Sequence, residues 1–426
     1  MPYNKLKNSS SDIKSPEDLL IVEDYEFTHK NSTQKSFILL FKAFIGTGVL
    51  FLPRGFASAG LVPSILMMAI SAYFSTIGMD RLGQVSLLHS GTYWDLGSKL
   101  YGNKMRVSIL WSIFLSQLGF AMCYVLFVAQ NIKDMVSSLS NCKTQINSYL
   151  LLIMVQLFIY VPFCFLTNLK KLSKAIVFAS ALIGVGVVYI LTNAIFNISE
   201  NGATVVLFTD WTDAFLILGT AIYSFEGIGL VIPIATSMQK PQDFSKILHL
   251  VILSVMVIYF SVSIVGSLSF GAKTASIILL NLKATPFLFL VQGLYVLSII
   301  LSVPLQLFPA YEIAISFLPN NFINFTIPIR ILTTVFVCVG AYISSSSLDL
   351  LVSFIGTIGC IPIGFIYPAL LHLKLGNLKK KDENLNYFLI GAGILFMAVS
   401  GIITLFKWAS GQAPEEISRC THLENQ

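Results

Sequence analysis

Long apolar runs separated by short polar segments dominate this chain of 426 residues. A helix needs about 20 apolar residues to cross a bilayer. On that scale, eleven spans are expected near residues 36–57, 61–80, 107–132, 148–167, 174–196, 213–237, 247–270, 286–315, 327–347, 349–373 and 386–407. The short gaps at Gly60 and Ser347 predict tight turns. The pattern predicts an all-α polytopic membrane protein.

The composition supports this class and disfavours several others. The chain is 55% apolar and 11% charged, with a mean hydropathy of +0.78, whereas soluble domains carry roughly 25% charged residues. Its basic residues form no stripe with interleaved aromatics, so no nucleic acid is expected as a partner. Cysteine and histidine show no metal-ligand spacing, so neither a metal nor a cofactor is predicted. No nucleophile constellation lies within a span, which disfavours an enzyme.

The basic residues also predict the orientation. With the N-terminus placed in the cytoplasm, twenty of the 27 Lys and Arg residues lie on the cytoplasmic side, as the positive-inside rule requires. Residues 1–35 are then a disordered cytoplasmic tail, and residues 408–426 form a luminal or extracellular tail. Asn197-Ile198-Ser199 matches a glycosylation sequon in the loop after span five.

The six cysteines divide into two groups. Four fall inside apolar spans and are expected to be buried: Cys123, Cys164, Cys338 and Cys360. Cys142 and Cys420 lie in polar segments on the same predicted side. Whether they form a disulfide is left open.

Two spans carry matching helix-breaking residues. Span one contains Gly46-Thr47-Gly48 and then Pro53, and span six contains Gly227-Ile228-Gly229 and then Pro233. The second glycines are 181 residues apart and the prolines 180 apart. Because each half contains five spans, an odd number, the second half enters the membrane in the opposite sense. The spacing predicts an inverted repeat of a secondary transporter, with repeats at 36–196 and 213–373 and an extra helix at 386–407.

Such breaks can recognise an amino acid. Unwinding frees backbone N–H and C=O groups, which must then face protein or a cavity. The N–H groups around Gly46, Thr47 and Gly48 can take a carboxylate, as helix N-termini do. Carbonyls near Ser224 and Phe225 can take the ammonium. Gly227 permits close approach of the ligand.

Glu226 lies near the middle of the apolar stretch 214–237. A carboxylate at bilayer depth costs about 2.5–3.5 kcal/mol on insertion scales, so it is seldom there without a function. Three roles remain open. Desolvation favours the neutral form, so Glu226 could carry a proton; it could instead stay charged and pair with the substrate ammonium, or it could cap loose carbonyls.

Other polar residues have simpler interpretations. Lys42 is expected to snorkel from span one. Asp80 and Arg81 are expected to form a local ion pair. Glu312 in span eight is a candidate gate, and Tyr124 in span three either lines a cavity or only packs.

The two breaks lie in recognisable motifs. Residues 41–53, FKAFIGTGVLFLP, resemble the first-helix signature of the amino acid/auxin permease family. Residues 221–234, AIYSFEGIGLVIPI, are similar to the sixth-helix signature of its proton-coupled amino-acid transporter branch, which includes fungal vacuolar members. The resemblance implies a leucine-transporter-like fold of eleven helices and transport of small neutral amino acids with protons. It also implies cavity residues at Gly46, Thr47, Gly48, Phe225, Glu226 and Gly227.

The leading hypothesis is therefore a secondary active transporter of neutral amino acids, working by proton-coupled symport and alternating access. Its expected partners are amino acids, protons and the lipid bilayer. In a vacuolar or lysosomal membrane it would export amino acids to the cytosol; the plasma membrane is the alternative. Two other functions stay open: an amino-acid sensor of the same fold, and a sodium-coupled carrier with a cation site at Ser298 and Ser302.

Overall fold

The computed structural model describes residues 31–143, 148–165, 170–318, 325–376 and 378–411, without the side chains of 170–182. The α-helices in these residues are α1 Thr33–Phe44, α2 Gly48–Ala59, α3 Leu61–Leu88, α4 Tyr93–Tyr101, α5 Asn103–Leu139, α6 Tyr149–Phe163, α7 Lys170–Asn201, α8 Trp211–Ser224, α9 Val231–Ser237, α10 Phe244–Phe270, α11 Pro286–Ser316, α12 Thr326–Ile343, α13 Leu348–Phe354, α14 Tyr367–Leu373 and α15 Lys380–Ala409.

The predicted spans appear as helices. Within the described ranges, nine helical segments are long and apolar enough to cross a membrane; two of them, Trp211–Ser237 and Leu348–Leu373, each contain two of these α-helices. The pair α1–α2, bent by 53° at its break, makes a tenth, and α6 is apolar but shorter. Each corresponds to one predicted span, which confirms a multi-pass membrane protein.

Both predicted tight turns are present. Gly60 separates α2 from α3 with a φ of 91°, a conformation that favours glycine. The segment before α8 covers this turn, since the N–H groups of Leu61 and Val62 donate to the carbonyls of Val206 and Leu207 at 2.9 and 3.1 Å. Ser347 lies in the turn between α12 and α13.

Span ten is partly π-helical. Between α13 and α14 the chain forms wider turns at Ile355–Cys360 and Pro362–Ile366. Pro362 lacks an N–H and cannot continue the α-helical ladder. The Tyr93 hydroxyl donates to the Ile363 carbonyl at 2.6 Å. Tyr93 begins α4, a short helix that the hydrophobic pattern did not predict, so α4 helps to satisfy the irregular backbone of span ten.

Glycines bring span ten into direct contact with α8. A Cβ at Gly356 would lie 1.9 Å from the Gly219 carbonyl oxygen, and one at Gly219 would lie 2.4 Å from the Ser353 carbonyl oxygen. Small residues commonly allow such close backbone approach between membrane helices. Span ten is therefore fixed against the helix that carries the second break.

Two local predictions are wrong. Asn197 does not lie in a loop, because α7 continues to Asn201 and its side-chain amide donates to Ser269. Arg81 pairs with Asp382 of α15 at 2.7 Å and not with its neighbour, while Asp80 accepts a hydrogen bond from Gln84. Side chains of adjacent residues in a helix do not face each other. Arg81 therefore pairs with the distant Asp382 and not with Asp80.

The tails and cysteines can be placed only in part. Helix α1 begins at Thr33, slightly before the predicted end of the tail; residues 1–30 and 412–426 lie outside the described residues. The four cysteines expected to be buried are buried and free: Cys123, Cys164, Cys338 and Cys360. Cys142 is disulfide-bonded, and Cys420 lies outside the described residues.

We expect Gly356→Ala to lower the melting temperature of the purified protein. The added methyl group must push the backbones of α8 and span ten apart, and such overpacking costs about 1–3 kcal/mol. Gly364→Ala in the same span is the matched control, because a Cβ there meets nothing within 4 Å. Thermal unfolding in detergent measures both, and equal melting temperatures would contradict the close contact.

Candidate functional site

The first break opens the backbone between α1 and α2. Helix α1 ends at Phe44 and α2 begins at Gly48. In this described segment, the N–H groups of Gly46, Thr47 and Gly48 have no backbone acceptor. A Cβ at Gly46 would meet no atom within 4 Å, so open space lies beside the loop. The N-terminus of α2 therefore presents free donors and a positive partial charge to that space.

The second break lies between α8 and α9. Helix α8 ends at Ser224, and a 3-10 turn at Ile228–Leu230 leads into α9. Phe225 is fully buried. Glu226 is half-buried, and the backbone N–H of Ile228 points at its carboxyl group. The carboxyl group of Glu226 thus faces the Ile228 N–H. This N–H would have donated to the Ser224 carbonyl if α8 had continued.

Each break packs closely against a residue of the other break. A Cβ at Gly48 would lie 2.6 Å from Ser224 Oγ, and a Cβ at Gly227 would lie 2.7 Å from the Phe44 ring. Phe44 and Ser224 are the last residues of α1 and α8 and are 180 positions apart. The contact is reciprocal, as an inverted repeat would make it. A side chain at Gly48 would clash with the backbone of Ser224, and one at Gly227 would displace the Phe44 ring.

A tyrosine of α10 links the two helix ends. The Tyr259 hydroxyl lies 2.5 Å from the Phe44 carbonyl oxygen and 3.0 Å from the Ser224 carbonyl oxygen. It is fully buried, and its ring packs against Phe225 with centroids 5.2 Å apart. The sequence analysis did not identify Tyr259, because a single tyrosine in an apolar helix gives no indication that its hydroxyl binds distant carbonyl groups.

Helix α5 closes another side of the site. The ring centroids of Phe120 and Tyr223 are 4.6 Å apart, and those of Tyr223 and Phe51 are 6.1 Å apart. Tyr124 lies close enough to feel both the Thr47 hydroxyl and the charge of Glu226. Tyr124 therefore lies near Thr47 and Glu226, and its lining of a cavity stays a prediction.

A charged recess lies at the far end of α2. Its cavity volume is about 50 Å³, and it is partly open to solvent. Arg54 Nε is 3.7 Å from Asp349 Oδ2, and Lys407 pairs with Asp213. Phe51 lines the recess and packs against Tyr223. Aromatic side chains thus separate the recess from the two breaks.

Four other polar residues that the sequence singled out lie in α1 and α11. Glu312 forms an ion pair with Arg330 at 3.0 Å, joining spans eight and nine. The Ser302 hydroxyl donates to the Ser298 carbonyl at 2.8 Å. Lys42 is half-buried in α1.

The bundle and its paired breaks define a polytopic membrane protein of the leucine-transporter-like fold. Among solved structures, the inward-facing conformation of Mhp1 aligns with a TM-score of 0.63 at 11% identity, covering 92% of this chain and 94% of that one. MhsT in complex with L-phenylalanine aligns with a TM-score of 0.55 at 12% identity, covering 88% and 98%. These likenesses confirm the predicted fold.

The chain belongs to the family described as transmembrane amino acid transporter protein, whose model matches residues 29–406. Similar proteins include vacuolar amino acid transporter 3 of Schizosaccharomyces pombe, 33% identical over 88% of this chain and 58% of that protein. Vacuolar amino acid transporter 3 of Saccharomyces cerevisiae is 36% identical over 89% and 57%. Amino acid transporter AVT3B of Arabidopsis thaliana is 27% identical over 87% and 92%. The chain thus spans little more than half the length of the two yeast proteins.

The Tyr223 hydroxyl is buried and forms no hydrogen bond of good geometry to the described residues, although the Thr47 hydroxyl and the Cys123 thiol lie near it. An unpaired buried donor costs about 1–3 kcal/mol, so Tyr223→Phe should melt at the same or a higher temperature in the absence of substrate. Tyr311→Phe is the contrasting control, because the Tyr311 hydroxyl pairs with Thr334 Oγ1 at 2.6 Å and its loss should lower the melting temperature. A drop for Tyr223→Phe as large as that for Tyr311→Phe would mean that the Tyr223 hydroxyl has a partner.

Proposed function

We propose that this protein is a secondary active transporter that carries neutral amino acids by proton-coupled symport. The convergence of the two breaks supports this proposal most strongly. Free N–H groups at Gly46, Thr47 and Gly48 lie beside the carbonyls of Phe44 and Ser224. An amino acid carries a carboxylate for the first set and an ammonium for the second. The names of the yeast relatives point to the same substrate class.

The walls of the site favour a neutral side chain. Phe51, Phe120 and Tyr223 pack against one another beside the first break. They offer no charge to balance an acidic or basic substrate side chain, and burying an unpaired charge is costly. These large rings restrict the space beside the break to a small substrate. Small neutral amino acids are therefore the proposed cargo, with Ser224, Phe225 and Gly227 forming the wall on the span-six side.

Glu226 is the proposed proton carrier. It lies at the second break, close to Tyr124 and Cys360 and beside the proposed substrate site. A carboxyl group that binds a proton on one side of the membrane and releases it on the other can couple the two movements. Glu226 could instead pair with the substrate ammonium, or it could only stabilise the break. In either case, transport by the Glu226→Gln variant will differ from that expected for the loss of a proton carrier.

The membrane and the direction follow from the same proposal. The yeast relatives carry vacuolar names, which favours a vacuolar membrane, and the Lys and Arg bias favours a cytoplasmic N-terminus. An acidic lumen would then drive amino acids into the cytosol. The charged recess at Arg54 and Asp349 would serve as the luminal entrance, with Phe51 and Tyr223 between it and the site.

Uptake of alanine into proteoliposomes should rise when a proton gradient is imposed and should not respond to sodium. Proton symport transfers the free energy of the gradient to the substrate, so alanine should accumulate above its external concentration. The measurement is radiolabelled alanine uptake with the proton and sodium gradients varied separately. Uptake that depends on sodium and ignores pH would overturn the proton assignment and favour the site at Ser298 and Ser302.

Glu226→Gln should abolish proton-driven accumulation while leaving alanine exchange across equilibrated vesicles measurable. The amide keeps the size of the carboxyl group but cannot carry the proton. A pH-sensitive dye trapped inside the vesicles should report no proton entry with alanine. Glu200→Gln is the control, because Glu200 is exposed and, among the described residues, pairs with Lys283. Wild-type accumulation by Glu226→Gln would place the proton site elsewhere.

A further inference from the structure

The Tyr259 hydroxyl satisfies two carbonyl groups at once, although it has one proton. The Phe44 carbonyl ends α1 and the Ser224 carbonyl ends α8, and both oxygens lie within 3.0 Å of the same hydroxyl. In an unbroken helix each would accept from an N–H four residues later. Those donors are the N–H groups of Gly48 and Ile228, which the breaks turn away. Tyr259 therefore replaces two lost backbone donors with one side chain.

The hydroxyl also fixes where the carbonyls point. Phe44 and Ser224 come from different helices and from different predicted repeats, yet their oxygens converge on one atom. A carbonyl oxygen has two lone pairs, so each retains one for another donor. The negative ends of α1 and α8 meet at this point, which makes it the most favourable place near the breaks for a cation with several N–H groups.

Only one repeat supplies such a residue. Subtracting the repeat spacing of 180 residues from Tyr259 leads to Met79 of α3, which is buried and has no hydroxyl. The two carbonyls are related by the repeat, but their shared donor is not. A single side chain therefore controls the alignment of both halves of the amine site.

We propose that Tyr259 is a positioning residue that aligns the Phe44 and Ser224 carbonyls and so selects substrates with a primary ammonium group. This inference rests on the proposed function and names the determinant of amine selectivity within it. A primary ammonium has three N–H groups and reaches both carbonyls with one to spare. One N-methyl group uses up the spare N–H and adds bulk where the carbonyls converge, and a second leaves one carbonyl without a donor, so methylated amines bind more weakly.

Transport of alanine and N-methylalanine by wild type and Tyr259→Phe tests this inference. Wild type should strongly prefer alanine. In Tyr259→Phe the two carbonyls are no longer held together. The KM for alanine should then rise about tenfold, the effect of losing one hydrogen bond, while the maximal rate changes less than about twofold. The ratio of the KM values for the two substrates should shrink.

Tyr295→Phe is the matched control. Its hydroxyl is also buried and also donates to a backbone carbonyl, that of Ile183 at 2.9 Å, but away from the breaks. It should retain the wild-type preference for alanine. Replacement of Tyr259 by 3,5-difluorotyrosine provides a second variant that preserves the packing. Its hydroxyl is a stronger donor, so the KM for alanine should fall.

Four results distinguish a positioning role of Tyr259 from its alternatives. A narrowed preference in Tyr259→Phe alone supports the positioning role. An unchanged preference, or an equal loss of maximal rate for both substrates with unchanged KM, would overturn it. Absence of amino-acid transport by wild type would instead reject the proposed function, and this outcome is distinct because it appears before any variant is compared.

Discussion

The reciprocal contact between the two broken helices is the constraint on which the rest of the structure depends. Backbone groups freed at membrane depth must find partners inside the protein. The two breaks pack directly against each other, with Gly48 against Ser224 and Gly227 against Phe44. The carbonyls left over converge on Tyr259. The N–H groups of Gly46, Thr47 and Gly48 have no backbone acceptor, and this asymmetry supports the proposal of a zwitterionic ligand.

The surrounding helices hold this contact in place. Span ten lies directly against α8 through Gly219 and Gly356, and its irregular backbone is satisfied from α4 by Tyr93. Arg81 and Asp382 tie α15 to α3. Close packing of small residues, rather than burial of apolar area from water, is the main source of such helix association in a bilayer. The site therefore sits on a scaffold whose spacing tolerates few added atoms.

The sequence alone predicted the spans and the two breaks because their signals are local. Apolar length reveals a membrane helix, and Gly46-Thr47-Gly48 reveals an interruption. Tyr259 could not be predicted, since its partner Phe44 is 215 positions away and a tyrosine in an apolar helix normally packs. The partner of Arg81 was predicted wrongly for the same reason, because Asp382 is 301 positions away in the sequence. Local patterns locate a break, whereas the tertiary fold decides which distant side chain completes it.

Equilibrium binding of alanine, alaninamide and propionate to the purified protein tests the central claim most directly. Alaninamide lacks the carboxylate that the Gly46-Thr47-Gly48 donors would hold, and propionate lacks the ammonium that the Phe44 and Ser224 carbonyls would hold. The account predicts that alanine binds and that removing either group weakens binding by about tenfold or more, as the loss of a charge-assisted hydrogen bond does. Binding of either analogue as tightly as alanine would contradict it.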